Sequence, residues 1–262
     1  PHQTANIPLG GDDRCFMIRH IANRLMIFSL RSLCAACLCV LPLTGMAEDS
    51  RPPADIFETS FEGDQGYTTG WVQDQNGWGI DRTVQNPNEV DVIVSGVMDM
   101  PVPVGAQMLK SAAYPASANL TYTKEPTEGF FTFSALFAYE PLDPEKMTSK
   151  FYLGHEEGKF SGPCFGITRR DGAPVFIYRD GDEEHVLAPG QAPEQGVFYR
   201  FECDVDAAAK TYTVRVYLHE GNSLIGEAQA RVRDDIRKYN NLLMVMAPTA
   251  YVDDIWIGSK PR

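Results

Sequence analysis

Apolar Phe131, Phe133, Ala135, Phe137 and Tyr139 take every second position, with Thr132 and Ser134 between them. A period of two puts all five side chains on one face of a β-strand. The same alternation, or a short apolar run, predicts strands over residues 56–61, 90–94, 119–123, 165–167, 174–178, 197–205, 211–218, 242–245 and 251–257. Clusters of turn formers, Arg170-Asp171-Gly172, Asp180-Gly181-Asp182 and Glu220-Gly221-Asn222, punctuate them. Only 231–239 has the spacing of a short helix. Many short strands with almost no helix predict an all-β chain, an antiparallel two-sheet sandwich or jelly roll.

One hairpin is specified down to its register. With Phe201, Cys203 and Val205 facing inward beside Tyr212, Val214 and Val216, matched faces pair Val205 with Tyr212 and leave Ala207 to Lys210 as a four-residue loop. Glu202 then stands opposite Arg215, a cross-strand charge pair that contributes about 0.2–1 kcal/mol.

The amino end follows a different pattern. In residues 17–47, basic Arg19, Arg24 and Arg31 precede an apolar run over 33–43 and small residues at Gly45 and Ala47, the layout of a secretory signal with cleavage after Ala47. The run is short beside the ~20 residues of a membrane span, so no stable membrane insertion is expected after cleavage. Residues 1–16 precede the plausible starts Met17 and Met26 and are set apart as an upstream extension. Residues 48–262 lack a long linker, a charge block or a repeat, and one β-sandwich domain is expected there.

Charge narrows the function classes. The chain carries 23 Lys and Arg against 35 Asp and Glu, a net charge of −12. Losing Arg14, Arg19, Arg24 and Arg31 with Asp12 and Asp13 takes this to −14 in the exported part. A nucleic-acid binder needs a basic stripe, so that class is disfavoured. Cys164 and Cys203 are the two cysteines of residues 48–262. A bridge between them would add roughly 4 kcal/mol in the loop-entropy model, but alternation places Cys203 in the core and Cys164 off the face carrying Phe165 and Ile167, which favours buried free thiols.

The segments Ile56-Phe57-Glu58-Thr59-Ser60-Phe61-Glu62-Gly63, Gly66-Tyr67-Thr68-Thr69-Gly70, Asp74-Gln75-Asn76-Gly77-Trp78 and Tyr251-Val252-Asp253-Asp254-Ile255-Trp256-Ile257 resemble bacterial exported domains of the concanavalin A-like lectin/glucanase, laminin G-like jelly-roll group. Phe198-Tyr199-Arg200-Phe201-Glu202 through Asp206, then Lys210-Thr211-Tyr212, is similar to that group's late hairpin. The resemblance implies the fold. For function it implies a choice, because the group mixes sugar-binding modules, glycoside hydrolases, polysaccharide lyases and domains of no known activity.

Three constellations carry candidate chemistry. Glu202-x-Asp204-x-Asp206 puts three carboxylates on one strand face, as retaining glycosidases of the group do, although their motif ends in Glu. Positions 202 and 206 lie ~13–14 Å apart along a strand, whereas a retaining pair needs its carboxyl groups at ~5–5.5 Å. Asp206 also suits a hairpin turn, and Arg215 is a partner for Glu202. Glu62 and Asp64 near the start, with Asp253 and Asp254 near the end, are candidate ligands for the structural calcium that related sandwiches hold between first and last strands. Trp256, Trp71, Tyr67 and Tyr178 are candidate sugar-stacking faces, Trp256 foremost because alternation points it away from the core. Trp78 reads as core packing, and Asn119-Leu120-Thr121 as ordinary strand rather than a glycan acceptor. His155, His185 and His219 have no zinc-ligand spacing, and no nucleotide or serine-hydrolase motif occurs.

The expected protein is a secreted, periplasmic or cell-surface monomer that binds a carbohydrate or polysaccharide without catalysis, needing no cofactor beyond a structural calcium. The alternatives are a glycoside hydrolase or lyase using Glu202, Asp204 and Asp206, and a structural or adhesion envelope protein.

Overall fold

A computed structural model describes residues 53–79, 92–96, 100–111, 116–121, 129–140, 148–154, 159–236 and 238–259. The leader over 17–47, the extension over 1–16, His155 and the ends of the strands expected at 90–94 and 119–123 lie outside the described residues. The strands are β1 (Phe57–Thr59), β2 (Gly70–Trp71), β3 (Trp78–Gly79), β4 (Val92–Ser95), β5 (Met108–Ser111), β6 (Ala116–Thr121), β7 (Phe130–Tyr139) and β8 (Ser149–Leu153). They continue as β9 (Cys164–Arg170), β10 (Ala173–Asp180), β11 (Glu183–Val186), β12 (Tyr199–Asp206), β13 (Thr211–Leu218), β14 (Ser223–Arg231), β15 (Asn241–Met246) and β16 (Ala250–Gly258).

They form two antiparallel sheets. One runs β14-β13-β12-β7-β16-β5-β4-β2, with β1 also paired to β16, and the other runs β11-β10-β9-β8-β15-β6-β3. Long jumps between neighbours, as when β7 lies between β12 and β16, are the mark of a jelly roll. The fold is therefore the all-β sandwich that the alternation predicts. Among the described residues no helix is long and apolar enough to cross a membrane.

The alternating residues meet between the sheets. Phe133 and Phe137 of β7 and Phe201 of β12 pack on Phe151 and Phe165 of the facing sheet at centroid separations from 5.5 to 6.1 Å. Each is at most 2% exposed, and full burial of such a ring contributes about 2–3 kcal/mol. The hairpin has the expected register: Val205 faces Tyr212, Glu202 faces Arg215, and residues 207–210 turn the chain. Cys164 and Cys203 are buried and unbridged, and only Cys203 belongs to the inter-sheet core.

Among the described residues of 231–239 the expected helix does not form. Arg231 ends β14, and the N–H groups of Val232 and Arg233 donate to the carbonyls of Lys210 and Ser161 rather than within a helix. Val232, Ile236 and Tyr239 are buried as a helical face would be, but the Val232 N–H is taken by Lys210 and that of Ile236 closes only a local turn onto Arg233.

Candidate functional site

The face of the nine-stranded sheet turned away from its partner carries the side chains that alternate with the core. On β12 these are Arg200, Glu202, Asp204 and Asp206, since Phe201, Cys203 and Val205 point inward. Register aligns Glu227, Arg215, Glu202, Ser134, Trp256 and Glu58 in one row across β14, β13, β12, β7, β16 and β1.

Arg215 is the hub of the row. Its Nη1 lies 2.6 Å from Asp204 Oδ2 and 3.5 Å from Glu202 Oε1, while its Nε donates to Glu227 Oε2. Burial works against the guanidinium charge, but the bonds to Asp204 and Glu227 outweigh it and raise the Arg215 pKa further. Asp204 Oδ1 also accepts the Thr132 hydroxyl at 2.6 Å. Asp206 takes no part: its Oδ1 accepts the Ala209 N–H at 2.8 Å and shapes the hairpin turn. The three carboxylates thus share a face and differ in employment, two clamped by Arg215 and one spent on a turn.

Arg200 lies beside this cluster. Its guanidinium stacks 4.4 Å from the Tyr217 ring centroid, and its Nη2 comes to 3.9 Å from Glu202 Oε2. Its Nε is buried and has no hydrogen-bond partner among the described residues. Burial, with Glu202 nearby, pushes the Tyr217 hydroxyl pKa up.

The four aromatic candidates do not form one platform. Trp71 sits on β2 at the sheet edge and is 58% exposed. Tyr178 lies on β10 of the other sheet, half-buried and stacked on His185 at 5.4 Å. Two expectations need correction. Tyr67 is 4% exposed, packs on Phe61 and accepts the Trp78 indole N–H at 2.9 Å, so it belongs to the core. Trp256 does leave the inter-sheet cluster, as its position in β16 predicts, but it is only 3% exposed and lies back over Gly258. Neither ring presents an open face.

Two of the four expected metal ligands come together through a strap, residues 100–107, that joins β4 to β5. Glu62 Oε1 accepts the N–H groups of Ala106 and Gln107 at 2.7 and 2.9 Å, and Asp253 Oδ2 accepts that of Val104 at 3.1 Å. Gly105, at φ +71°, has no room for a Cβ because the Glu62 carboxylate fills the space. Burial pushes the Asp253 pKa up to about 8, against the N–H bonds from Asp254 and Val104 and with the Asp254 and Glu62 charges adding to the rise. Asp254, at φ +47°, lies in a bulge of β16 against β7, and Asp64 stays exposed on the 3-10 turn Gly63–Gln65. Gln107 Oε1 on the strap is buried without a hydrogen-bond partner among the described residues. Among the described residues no three His, Cys, Asp or Glu gather as a metal group, so such a site would draw on two carboxylates together with amide and main-chain oxygens.

The residues that the sequence reading passed over are Arg200, Tyr217 and Glu227. The signal for them was the same alternation, read for the outward face instead of the core.

No family model matches the sequence, and no curated protein matches it. Among solved structures, 78% of the chain is similar to 97% of the cellulose induced protein Cip1 (TM-score 0.49, 15% identity). Similarity also covers 79% of the chain and 96% of the catalytic domain of a glycoside hydrolase family 131 protein from Coprinopsis cinerea (TM-score 0.46, 13% identity). It covers 72% of the chain and 100% of the carbohydrate binding module CBM66 from Bacillus subtilis (TM-score 0.43, 10% identity). All three are concanavalin A-like jelly-roll sandwiches.

Proposed function

We propose that the protein is an exported, non-catalytic carbohydrate-binding domain that holds a glycan on the outer face of the nine-stranded sheet, over β12, β13 and β14. The observation that carries this reading is the Arg215 cluster. A retaining glycosidase needs one free carboxylate as nucleophile and a second as acid/base at ~5–5.5 Å, each able to change its bonding during turnover. Here Glu202 and Asp204 are drawn to one guanidinium, and Asp206 caps a turn. Such a network suits recognition, since fixed donors and acceptors fit sugar hydroxyls without reorganisation. Export is read from the leader over 17–47.

Affinity gel electrophoresis of the exported protein through neutral, acidic and sulfated polysaccharides tests the reading. Retardation by one polymer, with no turnover of it, is the expected result. Uniform mobility in every gel would overturn glycan binding and turn attention to an adhesion role. Turnover lost in Glu202→Gln would replace binding with catalysis.

A calcium ion held by Glu62 and Asp253 belongs to the same proposal. The support is a fully buried carboxylate with two acidic neighbours, next to a strap bearing an unpartnered amide oxygen. When bound, the ion would neutralise the pair and tie the first strand, the strap and the last strand together.

A further inference from the structure

We infer that the outer face of the seven-stranded sheet is an anion-binding surface built by Lys150, Arg170 and Arg179, and that its partner is a uronate-bearing polysaccharide. It lies on the other sheet from the surface proposed above and is independent of it.

The face is concave. Phe151, Phe165, Ile167 and Phe176 lie in the inter-sheet core, so register turns Lys150 and Tyr152 of β8, Arg170 of β9, Arg179 of β10 and Glu184 of β11 outward. Strands β8 and β11 are separated by two others, ~14 Å in a flat sheet, yet Lys150 Nζ lies 2.6 Å from Glu184 Oε2. The two side chains span that gap only where the sheet curls toward them. Gly166, between Lys150 and Ile177 in the register, leaves the floor under the lysine without a side chain. From β9, Arg170 Nη2 reaches the same glutamate, 2.7 Å from its main-chain oxygen and 3.7 Å from Oε1.

Three cations here meet one carboxylate. Arg179 stands opposite Glu184 in the register, bonded to the carbonyls of Phe160 and Gly162 and set against the Tyr152 ring, contacts that fix its guanidinium without neutralising it. At the β10–β11 end, Asp180 and Asp182 are paired with Arg231 and Arg233, and Glu183 lies 3.8 Å from His185. The cluster is thus cationic within a chain of net charge −12. Its donors are accessible: the Lys150 and Arg170 side chains are 19% and 40% exposed, the ammonium makes one of its three bonds, and among the described residues Arg170 uses only Nη2. Guanidinium and ammonium groups on a curved face fit carboxylates, and a polymer of uronates engages several at once. The Thr148 and Thr168 hydroxyls, 3.0 Å apart beside them, suit the sugar hydroxyls, whereas the acidity of the whole chain disfavours a nucleic acid. At physiological salt that wider repulsion is screened beyond ~8 Å, and direct contacts persist.

The test is affinity electrophoresis at about 0.15 M salt through gels of polygalacturonate, its methyl-esterified form, a neutral β-glucan or polyuridylate. The protein is compared with Arg170→Gln, with Lys150→Gln and Arg170→Gln combined, and with Glu184→Gln, each checked for an unchanged melting temperature. The expected result is retardation by polygalacturonate that methyl esterification or about 1 M salt abolishes, and that the double variant weakens roughly tenfold. Arg170→Gln alone, at the more exposed position, carries the test if the double variant is unfolded. Glu184→Gln should strengthen retardation, because it removes the carboxylate that competes for the same cations; a purely structural ion pair would give no gain. Retardation by the neutral β-glucan alone would support the nine-stranded face and overturn this one. Polygalacturonate binding unchanged in the Lys150 and Arg170 variants would overturn their role, and equal retardation by polyuridylate would overturn the sugar class.

Discussion

The indole of Trp256 shows how far direction and exposure can part company. It points out of the sandwich, yet it lies along β16 so closely over Gly258 that a Cβ there would overlap the ring. Ser134, directly opposite on β7, is fully buried. A buried tryptophan is packing, so Trp256→Ala should lower stability by about 3–5 kcal/mol in urea unfolding. Trp71, 58% exposed, should tolerate the same change within about 0.5 kcal/mol. Equal, small effects at both positions would show that the Trp256 ring is open to solvent after all.

The β12–β13 hairpin is the element whose sequence and structure agree most closely. A slip of one residue would have sent Phe201, Cys203 and Val205 to the outer face, so alternation left a single register. The charges on its far side are coupled. Arg215→Ala would strand Glu202 and Asp204, 12% and 14% exposed, beside each other, and should cost about 3 kcal/mol. Asp206→Ala removes one turn bond and should cost about 1 kcal/mol. Urea midpoints of the two variants check the order; a larger loss at Asp206 would contradict it. The stretch 231–239 was the opposite case, because a local period can suggest a helix but cannot foresee that Lys210 and Ser161 will claim its N–H groups.

Over the whole molecule, the two ends of the domain close on each other. β1 pairs with β16, the Asp55 carboxylate accepts the Ser259 N–H at 2.7 Å, and Glu62 and Asp253 bind the same strap. If calcium seats there, a concentration about 100-fold above its Kd should raise the melting temperature by about 5–10 °C, and Asp253→Asn should abolish the shift. An unchanged melting temperature across a calcium titration would exclude the ion. The strap also lays Met100 and Val102 on Met108, Ala138 and Tyr251, an apolar cluster outside the main core. Alternation within each strand is local, so the chain by itself determined the all-β class, the inward set of residues and the hairpin register. What covers an outward side chain is not local. The burial of Trp256, the convergence of Glu62 and Asp253 across most of the domain's sequence, and the stacking of Arg200 on Tyr217 were decided by tertiary structure, because each depends on which segment packs against it.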